Sequence, residues 1–247
     1  MNSDVAAAGS CRYGPGAPFV NSLRRTISAL GLWTLALFLV LAAPAAEAKS
    51  WKVMILGDSL SAGYGLAPEK ALTSQMEAAL KAEGYDVTFP ATAVSGDTTA
   101  GGLSRLDWLL GDKPDLVVVA LGGNDGLRGI DPANTRANMD GILSKLQAAK
   151  VPAVILGMMA PPNLGRAYGD AFNAVFPDMA RKYGVPLYPF ILEGVALDPK
   201  LSLADGMHPN AEGVAVMTRN ILPVVKQSLD KLGAKPAGKG QAQGQAR

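Results

Sequence analysis

One short run of residues constrains the fold of this chain more than any other. Leu116 to Leu121 reads LVVVAL, a continuous apolar stretch with three β-branched valines at its centre. Alternating polar and apolar residues predict a strand with one wet face, whereas a continuous run predicts a strand buried on both faces. Strands of that kind occur in parallel sheets covered by helices. The run therefore indicates an α/β protein.

Short strand patterns and longer amphipathic stretches alternate between Lys49 and Gly233. The other strand patterns are Trp51–Leu56, Tyr85–Phe89, Ala153–Met158 and Val185–Tyr188. Helical patterns cover Leu72–Glu83, Gly101–Leu110, Asn134–Ala149, Ala167–Tyr183 and Ala211–Leu232, the last of them bent or restarted near Pro223. The alternation predicts a single domain, residues 49–233, built on a parallel sheet with helices on both faces. In such sheets ligands bind beyond the carboxyl ends of the strands, so we expect the functional residues in the loops that follow them.

The first 48 residues have the pattern of a secretory signal. Arg24 and Arg25 precede an apolar run from Ile27 to Ala43, and Ala46-Glu47-Ala48 provides an A-x-A cleavage site. We expect residues 1–48 to be removed after Ala48 and the protein to be exported, to the periplasm or beyond. Retention of the apolar run as an uncleaved membrane anchor is the alternative, as is a translation start downstream of Met1.

Composition limits the classes of function. The formal net charge is only +2, from 23 basic and 21 acidic residues, and no basic stripe is present, so nucleic acid is not an expected partner. One histidine and one cysteine exclude a transition-metal site built from several such ligands. The last segment, residues 234–247, has no large apolar side chain, so we predict that it forms a disordered tail.

The first strand is followed by Gly57-Asp58-Ser59-Leu60-Ser61. A serine in a tight turn between strand and helix can expose its hydroxyl, and the helix N-terminus directs backbone N–H groups at a nearby anion. The alternative is that Ser59 only caps the helix. The G-x-S-x-G elbow of α/β-hydrolases is absent, because Ser61 stands where its second glycine would be, and no phosphate-binding loop follows.

The only histidine, His208, lies three residues after Asp205 and just before the last helical pattern. Across a glycine-containing turn, Asp205 can reach the imidazole, fix its tautomer and stabilise its protonated form. The alternative is an ordinary surface loop in which Asp205 is a turn residue.

Two more loops offer hydrogen-bond donors. Asn124 follows the third strand in Leu121-Gly122-Gly123-Asn124-Asp125, where its amide can donate to a developing oxyanion. Gly96 lies in the loop Val94–Thr99 and can present a backbone N–H with no side chain in the way. A left-handed turn at Asn124 and a helix N-cap at Asp97 or Thr98 are the alternatives.

Taken together, the four loops supply the roles that acyl transfer needs: nucleophile, base, orienting acid and oxyanion donors. Their order resembles the four blocks of the SGNH (GDSL) hydrolase superfamily. The match is closer to its bacterial periplasmic acyl-thioesterase/lysophospholipase/arylesterase group and runs from about Lys52 to Gln227. The segments that carry it are ILGDSLSAGYGL, VSGDTT, LGGNDGLRG, FNAVFP, VPLYPF and DGMHPN.

The resemblance implies a flavodoxin-like three-layer α/β/α sandwich with a five-stranded parallel sheet. It implies a serine hydrolase in which Ser59 is the nucleophile, His208 the base and Asp205 its orienter. The oxyanion hole would consist of the N–H groups of Ser59 and Gly96 and the Asn124 amide. The implied substrates are small acyl esters or thioesters, lysophospholipids among them, with no cofactor and no metal.

Two questions stay open at this level. Met159 and Leu164 follow the fourth strand and are candidates for a fatty-acyl groove, although both could equally be core and turn residues. The same catalytic site would also suit a carbohydrate O-deacetylase. A non-catalytic, flavodoxin-like nucleotide-binding protein is the alternative from another class.

Overall fold

A parallel five-stranded sheet organises the part of the chain that the structure, a computed structural model, describes: residues 49–234 and Pro236. The strands are β1 (Trp51–Gly57), β2 (Val87–Thr88), β3 (Leu116–Ala120), β4 (Ala153–Leu156) and β5 (Leu187–Tyr188). They lie in the order β2-β1-β3-β4-β5, and every neighbouring pair is parallel. The expected five-stranded parallel sheet is confirmed.

The central strand β3 is buried on both faces, as its composition predicts. Each of its five residues is at most 1% exposed. It pairs with β1 from Val53↔Leu116 to Gly57↔Ala120, so the two strands end side by side. This shared end brings the loops after β1 and β3 together.

Helices of two lengths connect the strands. The longer ones are α2 (Leu72–Ala82), α3 (Thr99–Gly111), α5 (Pro132–Ala148), α6 (Arg166–Asn173), α7 (Val175–Tyr183) and α8 (Ala211–Lys231). Two short helices, α1 (Ser59–Ala62) and α4 (Gly123–Leu127), follow β1 and β3 directly. Short 3-10 helices cover Pro68–Lys70 and Pro162–Leu164.

The long helices pack in two groups, one on each face of the sheet. Helix α2 packs against α8, whereas α3 packs against α5 and α5 against α7. Right-handed crossovers between parallel strands place the two groups on opposite faces. The aromatic rings of Phe172 and Phe176, on α6 and α7, meet edge to face at 5.5 Å in the core. The result is the expected α/β/α layering.

Two proline residues behave differently from expectation. The pattern Ala167–Tyr183 predicts one helix, but the chain forms two, with the junction at Ala174. Pro177 lies three residues later, and because it lacks an N–H it is suited to the first turn of a new helix. Of the bend or restart predicted near Pro223, the restart is wrong, because α8 continues through this residue. Its contacts with α2, β4 and β5 hold both halves of the helix in place.

The predicted end segments lie largely outside the described residues. Residues 1–48, predicted as the signal, and residues 237–247 of the predicted tail are among those not described. Ala234, the first residue assigned to the tail, is 1% exposed and donates its N–H to Leu229 O. In the described part of the chain, no helix has the length and apolar character needed to cross a bilayer.

Candidate active site

The candidate site lies beyond the carboxyl ends of β1 and β3. In the strand order, the chain leaves β1 toward β2 on one side and leaves β3 toward β4 on the other, so the two connections diverge. Such a switch point opens a crevice in doubly wound sheets. Ser59 follows β1 and Asn124 follows β3, which places both residues at this crevice.

A tight turn presents Ser59 at the start of α1. Asp58, not Ser59, caps this helix, and its Oδ1 accepts a hydrogen bond from Leu60 N at 3.0 Å. Gly57 is required by the turn, since a Cβ there would lie 2.6 Å from Ser61 Oγ. The capping interpretation of Ser59 is therefore wrong, and its hydroxyl is free for other contacts.

His208 reaches Ser59 from a loop near the other end of the chain. Its Nε2 lies 2.9 Å from Ser59 Oγ, across 149 positions of sequence. The loop is fixed by an antiparallel bridge between Ser202 and Pro209 and by a hydrogen bond from Leu203 N to His208 O. The geometric requirement of the sequence hypothesis, a hydroxyl and an imidazole within hydrogen-bonding reach, is met.

Asp205 holds the other side of the imidazole. Its Oδ2 lies 2.7 Å from His208 Nδ1, and its Oδ1 accepts from the N–H groups of Met207 and His208. These two backbone hydrogen bonds, with the one from the His208 ring, lower the pKa of Asp205 to about 2. An ionised carboxylate at this position assigns the proton to Nδ1, which leaves Nε2 to accept from the Ser59 hydroxyl.

The predicted oxyanion donors lie on both sides of the nucleophile turn. Gly96 has a φ of +85° and Gly122, which precedes α4, a φ of +114°, and both values favour glycine. Asn124 lies within α4 and not in a left-handed turn, and its Nδ2 donates to Asp97 O at 3.0 Å and to Asp58 Oδ2 at 3.2 Å. Within the described residues, the N–H groups of Ser59 and Gly96 have no acceptor, so both are available to an anion.

Asp58 is a buried carboxyl beside Ser59, and no role was predicted for it from the sequence. It is 1% exposed, and burial raises its pKa to about 6, against the opposing effect of hydrogen bonds from Leu60 and Asn124. By accepting from the Asn124 amide, Asp58 orients one of the candidate oxyanion donors. Its place in the G-D-S-L segment was the signal available from sequence.

Arg105 ties the nucleophile turn to the Gly96 loop, a link that sequence patterns do not reveal. The guanidinium donates to Asp97 Oδ2 at 2.6 Å, to Thr92 O at 2.7 Å and to Gly57 O at 3.1 Å. One rigid group thus contacts Gly57, two residues before Ser59, and Asp97, which follows Gly96. The N-cap of α3 is Thr98, whose side chain accepts from Gly101 N.

An aromatic ring covers the imidazole. The rings of Tyr64 and His208 lie 4.4 Å apart between centroids, at an interplanar angle of 33°. The contact limits the motion of the imidazole and shields one of its faces from water. Tyr64 follows the nucleophile helix by two residues, so the turn that presents Ser59 also supplies this cover.

A largely apolar cavity of about 370 Å³ opens at Ser59, Asn124 and His208. This volume falls within the range of small-molecule sites. Met158, Met159, Pro161 and Pro162 form part of its wall. Further lining residues come from a segment that sequence analysis did not consider: Phe190, Leu192, Val195, Ala196 and Leu197.

The two predicted groove residues have different positions. Met159 lines the cavity and is 54% exposed. Leu164 is not among the described residues that form the wall; it is half-buried in a 3-10 helix next to Gly129. Within the described residues, histidine, cysteine and acidic side chains form no group of three suited to a metal ion.

Comparison with known proteins identifies the family of the chain. Residues 55–216 match the model of the GDSL-like Lipase/Acylhydrolase family. The chain belongs to this family. The match includes all four predicted loops, from Ser59 to His208.

Relatives of similar length support the assignment. An arylesterase of Vibrio mimicus is 42% identical over 182 residues, which are 73% of this chain and 90% of that protein. Thioesterase 1/protease 1/lysophospholipase L1 of Escherichia coli K12 is 40% identical over 177 residues, 71% of this chain and 83% of that protein. The crystal structure of TesA aligns with a TM-score of 0.69 at 38% identity and covers 71% of this chain and 98% of that one.

Proposed function

We propose that this chain hydrolyses carboxylic esters and thioesters through an acyl-enzyme on Ser59. The observation that carries the proposal is the continuous hydrogen-bonded series from Asp205 through His208 to the Ser59 hydroxyl, with separations of 2.7 Å and 2.9 Å. Such a series activates a serine, because the base removes its proton as it attacks. Relatives named arylesterase and thioesterase support the class of substrate.

Acylation begins when Ser59 Oγ attacks the carbonyl carbon and its proton passes to His208 Nε2. The imidazolium formed in this way is stabilised by the ionised Asp205 at Nδ1. When the tetrahedral intermediate collapses, the bond to the alcohol oxygen or thiol sulfur breaks, and Nε2–H protonates the leaving group. A water molecule then repeats the sequence on the acyl-enzyme and releases the acid.

The negative charge of the tetrahedral intermediate is assigned to three donors: the N–H groups of Ser59 and Gly96 and the amide of Asn124. The two N–H groups are free within the described residues, and the amide already points toward the Gly96 loop. Both hydrogens of Asn124 Nδ2 are donated to Asp97 O and Asp58. An oxyanion therefore has to share or replace one of these acceptors, and the longer bond to Asp58 is the weaker of the two.

The cavity favours an acyl chain over a sugar. Its wall is formed mostly by aliphatic, methionine and proline side chains, which match hydrocarbon and offer few hydrogen-bond partners to hydroxyl groups. We therefore favour acyl esters, thioesters and lysophospholipids as substrates over O-acetylated carbohydrate. Met159 is part of the proposed acyl-binding wall, and Leu164 stays a prediction.

Export is a further part of the proposal. It rests on the basic, apolar and A-x-A segments of residues 1–48, which lie outside the described residues. The matched family domain begins after this segment, at residue 55. The proposed mature enzyme begins at residue 49, and its hydrolase domain covers residues 49–233.

A fluorophosphonate probe tests the proposal directly, because it labels only an activated serine. We expect the wild type to be labelled and Ser59→Ala to lose both labelling and, on the order of 10⁴-fold or more, ester hydrolysis. Ser50→Ala is the matched control: its exposed hydroxyl bonds only Asp86, and labelling should persist. An unlabelled wild type would favour the non-catalytic nucleotide-binding alternative, and a labelled Ser59→Ala would place the nucleophile elsewhere.

A further inference from the structure

Leu197 combines an unfavourable backbone with an exposed apolar side chain. Its φ is +67°, a left-handed conformation that bulky L-residues rarely adopt. Its exposed fraction is 88%, so no packing within the described chain compensates for the strain. Residues held in such strained conformations concentrate at functional sites, where the surrounding structure maintains the strain as part of the function.

The position of Leu197 at the candidate active site suggests what its function is. Leu197 lines the cavity that opens at Ser59 and His208. Three other exposed apolar side chains line the same cavity: Leu127, Met159 and Met207, which are 49%, 54% and 47% exposed. The apolar surface therefore continues from the nucleophile to the solvent and ends in a rim of these four residues.

We propose that Leu197 is a specificity-determining residue whose side chain contacts the distal carbons of a long acyl chain. The inference rests on the proposed function, because it assigns the acyl group to this cavity. A long chain extends past the enclosed part of the cavity and removes both its own methylenes and the rim side chains from water. A short acyl group ends before the rim and gains nothing from it, so Leu197 discriminates by chain length.

Two other bulky residues adopt the same left-handed backbone conformation for a purely structural reason. Lys113 and Lys150 have φ values of +53° and +58° and follow the ends of α3 and α5. There the left-handed residue terminates a helix, and its N–H bonds a carbonyl of the last turn, Leu110 O or Gln147 O. Both residues precede strands, so they lie at the opposite edge of the sheet from the cavity.

The test compares hydrolysis of p-nitrophenyl dodecanoate and p-nitrophenyl butanoate by Leu197→Asn, Leu197→Met and the wild type. Asparagine tolerates the left-handed conformation and removes the apolar contact, whereas methionine keeps the contact. For Leu197→Asn we expect kcat/KM to fall roughly tenfold more on the dodecanoate than on the butanoate. Leu197→Met should keep the ratio of the wild type.

Thermal unfolding supplies a readout that is independent of substrate. Because it relieves backbone strain, Leu197→Asn should raise Tm by about 2–4 °C while it lowers long-chain activity. Lys150→Asn is the matched control: the same kind of relief should raise Tm and leave the chain-length ratio unchanged. An unchanged ratio in Leu197→Asn, or an equal loss on both esters, would overturn the inference. Failure of the proposed function is distinct from this, because the wild type would then hydrolyse neither ester.

Discussion

The two edges of the sheet differ in how their polar and charged groups are accommodated. At the carboxyl edge lie a carboxyl group of Asp58 that is 1% exposed, a buried Ser61 Oγ without a partner among the described residues, and the strained Leu197. At the amino edge, charged groups are exposed and paired: Lys49 bonds Asp115, and Lys52 Nζ donates to Asp112 O. Buried polar groups without full compensation therefore lie at the edge that carries the proposed chemistry, whereas the left-handed residues of the other edge, Lys113 and Lys150, only terminate helices.

The difference shows which substitutions should affect activity and which only stability. Changes at the carboxyl edge should alter catalysis strongly and stability in either direction, because several groups there are held against their own preference. Changes at the amino edge should have small effects, and on stability alone. The three predictions below test this division, beginning with the largest effect.

Asn124→Ala should lower kcat roughly 100- to 1000-fold, the usual effect of losing one oxyanion donor. The stability of the protein should change little by comparison, so steady-state kinetics and circular dichroism together separate the two effects. Asn134→Ala, an exposed asparagine in the first turn of α5, is the control and should keep wild-type kinetics. A decrease of less than tenfold for Asn124→Ala would remove Asn124 from the set of donors.

Asp58 should make stability depend on pH with a sign opposite to that of most carboxyl groups. Because burial raises its pKa from 3.8 to about 6, the folded state holds a proton that the unfolded state releases in this window. Stability should therefore fall as pH rises from 3.8 to about 6, by up to about 3 kcal/mol. Urea unfolding across this range should show the decrease in the wild type and its loss in Asp58→Asn.

The control for that experiment is Asp205, whose lowered pKa, about 2, gives the ordinary sign. Asp205→Asn should remove stability that is present above pH 3.8 and lost toward about 2. If the wild type and Asp58→Asn have parallel pH profiles, Asp58 is not the source of the slope.

Lys49→Ala should have the smallest effect. The ammonium group pairs with Asp115 and lies 4.1 Å from the centre of the Trp51 ring, but the side chain is 58% exposed. Exposed pairs of this kind contribute less than about 1 kcal/mol. Chemical denaturation should show a change within that limit, and kcat/KM should be unaltered. A larger loss of stability, or any loss of activity, would end the proposed separation of the two edges.

Elements of the fold could be predicted from the sequence where their pattern of apolar residues extends over many positions. The runs Trp51–Leu56 and Leu116–Leu121 predicted the buried strands, and the loops after them contained Ser59 and Asn124. A helix was expected after the first strand, but neither the short length of α1 nor the existence of α4 was predicted, because four or five residues rich in glycine and serine show no helical periodicity. Such helices form only because tertiary contacts and a cap such as Asp58 hold them.

Contacts between segments that are distant in the sequence could not be predicted either. Arg105 lies on the amphipathic pattern of α3 and looks like a surface residue in the sequence, yet its guanidinium joins the end of β1, at Gly57, to the segment between β2 and α3, at Thr92 and Asp97. The wall formed by residues 190–197 has no motif and was found only in three dimensions. The proline errors have a similar origin: the outcome at Pro177 and Pro223 depends on where each residue lies in its helix and on what packs there.

The short loop that joins Asp205 to His208 has a consequence for how the protein acquires activity. The acid and the base form a local unit that backbone N–H groups already organise, so their pairing needs no distant part of the chain. Only the final contact with Ser59 bridges the two ends of the domain. In the proposed mechanism, turnover therefore requires the segment that carries His208 to be docked beside the turn that follows the first strand.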